Sequence, residues 1–127
     1  MEGGLAGIHE IVGGLVVVAL VILAILAAAQ ATGRGGDAVR MMSFVAAGLY
    51  ALQILLGLLL LGGGFRNSTM HYVLGLLVIV PIGLQQTAGR RFSAQNAGVA
   101  TMIWALAAAF LSVIAYMTGL QGVGGSP

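Results

Sequence analysis

The sequence predicts an all-α integral membrane fold: an up-down-up-down four-helix bundle made of two hairpin repeats. Three observations predict it. Of 127 residues, 60% are hydrophobic and only 6% are charged, whereas a soluble domain carries about a quarter charged residues on its water-facing surface. Four apolar stretches each reach the roughly 20 residues that a helix needs to span the hydrocarbon core. Finally, the second half of the chain lies over the first without a gap at an offset of 62 residues, the spacing from His9 to His71.

The first stretch runs from about Leu5 to Ala31 and is almost wholly Ala, Leu, Val, Ile and Gly. Ala29-Gln30-Ala31 resembles a signal-peptide cleavage site. A signal peptide places its positive residues before the apolar run, and here the first arginine, Arg34, follows it. The stretch therefore reads as a retained membrane helix. The second runs from about Val39 to Leu61, the third from about Met70 to Ala88 and the fourth from about Ala97 to Leu120. Their connections, Thr32–Ala38, Gly62–Thr69 and Gly89–Asn96, are short and hold arginine with Gly, Asp, Asn or Ser. Such residues end helices and cap the next ones. Asp37, Thr69 and Asn96 are the expected N-caps of the second, third and fourth helices. Pro81 falls inside the third, where neighbouring helices can absorb a kink. The 21 glycines fit close helix contacts, because small residues let helices approach in lipid. Residues 1–127 read as one membrane domain.

Charge sets the orientation and removes several function classes. Lysine is absent; Arg34, Arg40, Arg66, Arg90 and Arg91 face Glu2, Glu10 and Asp37, for a formal charge of +2. A nucleic-acid binder needs a clustered basic face, and this chain has only scattered loop arginines, so its expected partners are the lipid bilayer and other membrane subunits. Cysteine is absent, which excludes disulfides, iron–sulfur clusters and thiolate zinc sites. Connections one and three hold Arg34, Arg90 and Arg91, and Arg40 stands just past the first, so four of the five arginines lie on one side. The positive-inside rule then places them in the cytoplasm and both termini outside the cell membrane.

The repeat lays Ile8-His9-Glu10-Ile11-Val12-Gly13 over Met70-His71-Tyr72-Val73-Leu74-Gly75, and Gly57 and Leu58 over Gly119 and Leu120. Apolar alphabets match by chance, but the two histidines of the chain match each other, each with glycine four residues on. Two hairpins related by an axis along the membrane normal are expected, as in parallel-repeat membrane proteins. His9 and His71 then open diagonal helices at one depth near the outer boundary, and their imidazoles can face each other. That arrangement holds a b-type haem: two neutral imidazoles on opposite sides of a flat macrocycle. Gly13 and Gly75, one turn deeper on the same faces, leave room for porphyrin. The bland alternative is a pair of half-solvated histidines at helix ends. Zinc wants three or four ligands, and only Glu10 offers a third.

Arg66, five residues before His71, reads either as a partner for a haem propionate or as an ordinary loop arginine. Glu10 suits the positive end of a helix dipole. Gln53, Gln85 and Gln86 are expected to hydrogen-bond between helices. Asn67-Ser68-Thr69 matches a glycosylation sequon close to the membrane. Met41, Met42, Met102 and Met117 read as packing.

Ile8-His9 opening the first helix, Leu52-Gln53-Ile54-Leu55-Leu56-Gly57 in the second and His71 opening the third resemble segments of haem A synthase. That family has two four-helix halves, each with a histidine pair in its first and third helices, and shorter forms with four helices; the resemblance to one half covers most of the chain. It implies haem ligation by His9 and His71. Ala6 stands where the family has a glutamate tied to catalysis, and Glu10 where arginine often follows the histidine. The resemblance thus carries the ligands and leaves open whether the chain is an enzyme. The expected function is a b-type haem protein in electron transfer or haem handling. The alternative is a non-catalytic accessory subunit of a larger respiratory or photosynthetic membrane complex. A transporter or channel is the weakest reading, since its pathway would need ionisable residues within the helices.

Overall fold

The computed structural model describes residues 2–125, and among them there are only helices and their connections. They are α1 (Glu2–Ala31), α2 (Gly36–Gly62), α3 (Thr69–Leu77), α4 (Ile79–Arg91) and α5 (Ala94–Gly125). Four spans within them, Gly4–Ala31, Gly36–Gly62, Thr69–Ala88 and Ala94–Leu120, are long and apolar enough to cross a membrane. They reproduce the four expected stretches.

The helix ends follow local chemistry. At the end of α1 the Arg34 amide donates to Ala29 O and the Gly33 amide to Gln30 O, with Gly33 at φ 97°. At the end of α2 the Phe65 amide donates to Leu60 O and the Gly64 amide to Leu61 O, with Gly64 at φ 98°. Both are glycine-closed Schellman ends, a turn that places its C′ residue in the left-handed region glycine enters without strain. The expected N-caps are displaced. Gly35 caps α2, and Asp37 instead pairs with exposed Arg40 at 2.7 Å. Ser68 caps α3, accepting from the His71 amide, and the Asn96 amide donates to Ser93 Oγ. In each case the chain turns one to three residues earlier than the polar side chain marked in the sequence. The third span is interrupted at Val78, dividing α3 from α4. Pro81 explains the break: it offers no N–H to Leu77 O and its ring crowds that carbonyl.

The buried face of α1, with Val12, Val16, Ala19, Leu20, Leu23, Ala24 and Ala27, recurs every three or four residues, as one stripe of a helix must. Its main interface is with α5 and its second with α2; α5 also packs against α3 and α4. The α1–α5 contact is close because it is built of small residues. A Cβ added at Gly98 would lie 2.6 Å from Ala31 N and 2.9 Å from Ala27 O, so only glycine permits this backbone approach. The flank between α2 and α4 is slight by comparison, bridged by Gln86 Nε2 donating to Ser43 O at 3.0 Å and to Ser43 Oγ at 2.7 Å. The outward face is apolar: Ile11, Ile25 and Phe110 are each about two-thirds exposed. Large apolar residues on the outside suit a solvent of lipid tails. The chain is a multi-pass membrane protein.

Candidate functional site

Both histidines are positioned by the backbone near one end of the bundle. His9 is in the early turns of α1, and His71 is the third residue of α3, its amide fixed by Ser68 Oγ at 3.2 Å. The connection before α3 is also pinned to α5, because Asn67 Nδ2 donates to Gly119 O at 3.1 Å. The two imidazoles converge with ring centroids 6.2 Å apart and planes 78° to each other. Each leans on a glycine of the adjoining helix. A Cβ at Gly57 would lie 3.2 Å from His9 Cε1, and one at Gly119 would lie 2.8 Å from His71 Cε1. Larger residues there would push the rings away.

The rings line a cavity of about 500 Å³ shared by α1, α2, α3 and α5, within the usual range for small-molecule sites. Gly13, Gly75 and Arg66 line it too. Gly75 does leave open space where a side chain would stand. Gly13 does not: a Cβ there would be 2.9 Å from Gln53 Nε2, so the space one turn below His9 is filled by the Gln53 amide. Arg66 is exposed at the rim, and its Nη1 donates to Leu61 O and Phe65 O, each at 2.9 Å. It therefore satisfies carbonyls at the end of α2, as a basic group at a helix C-terminus does. Tyr116 reaches toward Glu10 at 3.5 Å. Among the described residues no three His, Cys, Asp or Glu side chains gather into a cluster, and Glu10 does not join the histidines.

The nitrogens of the two rings have different neighbours. His71 Nδ1 lies 2.8 Å from Ala115 O and 3.5 Å from Thr118 Oγ1. His9 Nε2 lies 3.4 Å from Gln53 Nε2, while His9 Nδ1 is buried with no hydrogen-bond partner among the described residues. Gln53 Oε1, Tyr50 OH and Ser112 Oγ are also buried without partners and belong to residues lining the same cavity. Buried polar groups are nearly always satisfied, so this cluster of unpartnered atoms sets the cavity apart from the rest of the bundle.

Of the three glutamines expected to bond between helices, Gln53 and Gln86 do so. Gln85 does not: its amide is buried and has no partner among the described residues. The Asn67 amide of the sequon is spent on Gly119 O and on the Ser68 amide. Sequence reasoning missed Gly57, Gly119, Tyr50, Ser112 and the Ala115 carbonyl as parts of the site. Gly57 and Gly119 carried a signal, being matched at the same offset as the histidines. Tyr50 and Ser112 also lie 62 apart, but unlike residues do not register in a comparison of identities.

No protein-family model matches the chain, and no curated protein or solved structure matches it either.

Proposed function

We propose that the chain is a membrane-embedded b-type haem protein in which His9 and His71 supply both axial imidazoles. One observation carries this reading: the 6.2 Å between ring centroids. A metal–imidazole bond of about 2 Å plus the ring radius, taken on both sides, comes to roughly 6 Å. The cavity that both rings line supports it, and the resemblance to haem A synthase points to the same two residues. A bound haem would supply one-electron chemistry, with potential tuned by axial ligands and burial. Gly57 and Gly119 set the reach of each imidazole, Gly75 leaves space beside it, and Ala115 O orients the His71 ring.

The bundle in this proposal is up-down-up-down and made of two hairpin repeats, supported by His9 leaning on Gly57 as His71 leans on Gly119. Both termini lie on the outer side of the cell membrane, following the arginines of connections one and three. The haem then sits near the outer leaflet, accessible to a partner there for electron transfer or haem handling.

Purified protein should show a Soret band and split α and β bands on reduction; their absence defeats the reading. A second reading, a non-catalytic accessory subunit of a larger membrane complex, is supported by how little of the chain lies outside the four spans. Native mass measurement in mild detergent tests it, and a protein that is stable alone and copurifies with nothing contradicts it.

A further inference from the structure

A ligating histidine needs one nitrogen with a free lone pair and the other tied to an acceptor that fixes tautomer and ring. His71 meets both needs. A carbonyl can only accept, so the 2.8 Å contact with Ala115 O puts the proton on Nδ1 and the lone pair on Nε2. Ser68 Oγ on the His71 amide and Gly119 beneath the ring hold that orientation. His9 meets neither. The Gln53 amide nitrogen, which can only donate, faces Nε2 at 3.4 Å and engages its lone pair, and the protonated Nδ1 is buried without a hydrogen-bond acceptor among the described residues.

Resting on the haem reading above, we infer that His71 is the permanent axial ligand and His9 the replaceable one. With a haem bound, His9 would be the residue that gives way to a small neutral diatomic ligand of the carbon monoxide class. On withdrawing, His9 would return its Nε2 lone pair to the Gln53 N–H, which would partly replace the lost interaction. Among the described residues no such donor awaits His71, whose Nδ1 is held by main chain. Gln53 Oε1 and Tyr50 OH, both buried and unpartnered, give the vacated side polar edges. Distal polarity and hydrogen-bond donors are what decide whether a haem binds such ligands.

The test is carbon monoxide added to dithionite-reduced protein in mild detergent, followed in the Soret region. The wild type should shift. His9→Ala should keep haem with a high-spin spectrum and take up carbon monoxide roughly tenfold faster, whereas His71→Ala should lose haem. Gln53→Leu frees the His9 lone pair and should slow carbon monoxide binding by roughly tenfold, a change that loosened packing would not produce. If a haem spectrum is present but the wild type does not respond, the inference is overturned and the haem reading stands. Equal loss of haem in both histidine variants, with Gln53→Leu unchanged, overturns it equally. A wild type with no Soret band removes the haem reading and this inference together.

Discussion

The half of the molecule that carries His9 and the half that carries His71 solve the same problem with different chemistry. In each, an imidazole from the start of one span rests on a glycine 48 residues further on, Gly57 or Gly119. Four residues before that glycine stands the group that holds the ring. In the first half it is the Gln53 side-chain amide, 3.4 Å away; in the second it is the Ala115 main-chain carbonyl, 2.8 Å away. A side chain donates or accepts and can swing, whereas a helix carbonyl only accepts and stays. The spans differ too: α1 runs unbroken from Glu2 to Ala31, while the third span breaks at Val78. Equal spacing thus accompanies two rings 6.2 Å apart, and the partners that hold them differ.

The largest disruption of this arrangement should come from Gly98, where the two halves meet along α1 and α5. Gly98→Leu drives a side chain into the backbone of Ala27 and Ala31, and overpacking of that kind costs about 1–3 kcal/mol or more. Thermal unfolding in detergent should show a clearly lowered midpoint; an unchanged midpoint would mean the interface is looser than described. Next, if the proposed haem is bound, Gly119→Ala should weaken its retention by roughly 10–100-fold, because its Cβ would meet His71 at 2.8 Å and shift the support of that ring. Gly57→Ala, at 3.2 Å from His9, should do less, and haem titration of the pair measures the difference between halves directly. If the two variants behave alike, the asymmetry drawn between the rings is wrong.

Smaller still is Gln86→Leu, which removes the side-chain bridge from α4 to Ser43 on α2. Hydrogen bonds between membrane helices average about 0.6 kcal/mol, so stability should fall by about that much. Hydrogen exchange should rise along α2 more than along α1. The least effect belongs to Pro81→Ala, expected within about 1 kcal/mol of wild type, because the neighbours of the third span already accommodate its break. Its readout is the pair of histidine spectra, and a changed His71 signal would show that the break sets the height of that ring.

The four spans were legible in the sequence because an apolar helix in lipid needs nothing but length and the absence of charge. Glycine-closed ends were legible in kind, since Gly33 and Gly64 sit where polar connections begin. Caps were not, because Ser68 and Ser93 compete with neighbouring Thr69 and Asn96, and only the path of the turn selects between them. Among the site residues, His9 and His71 stood out as the two histidines in an otherwise apolar chain. The packing of the Gln53 amide against Gly13 was not legible, since a sequence cannot show which helix turns a side chain toward that glycine.

The sequence by itself therefore determined how many times the chain can cross a bilayer, the polarity of its connections and the identity of its two imidazoles. Hydrophobic length and residue type act locally, so they can be read along one strand of text. Only the tertiary structure decided that the rings come within 6.2 Å, that Gly57 and Gly119 support them, and that one ring is held by main chain and the other by an amide. Those facts depend on which faces of α1, α2, α3 and α5 turn toward one another, and helix rotation is set by close packing between residues far apart in the chain.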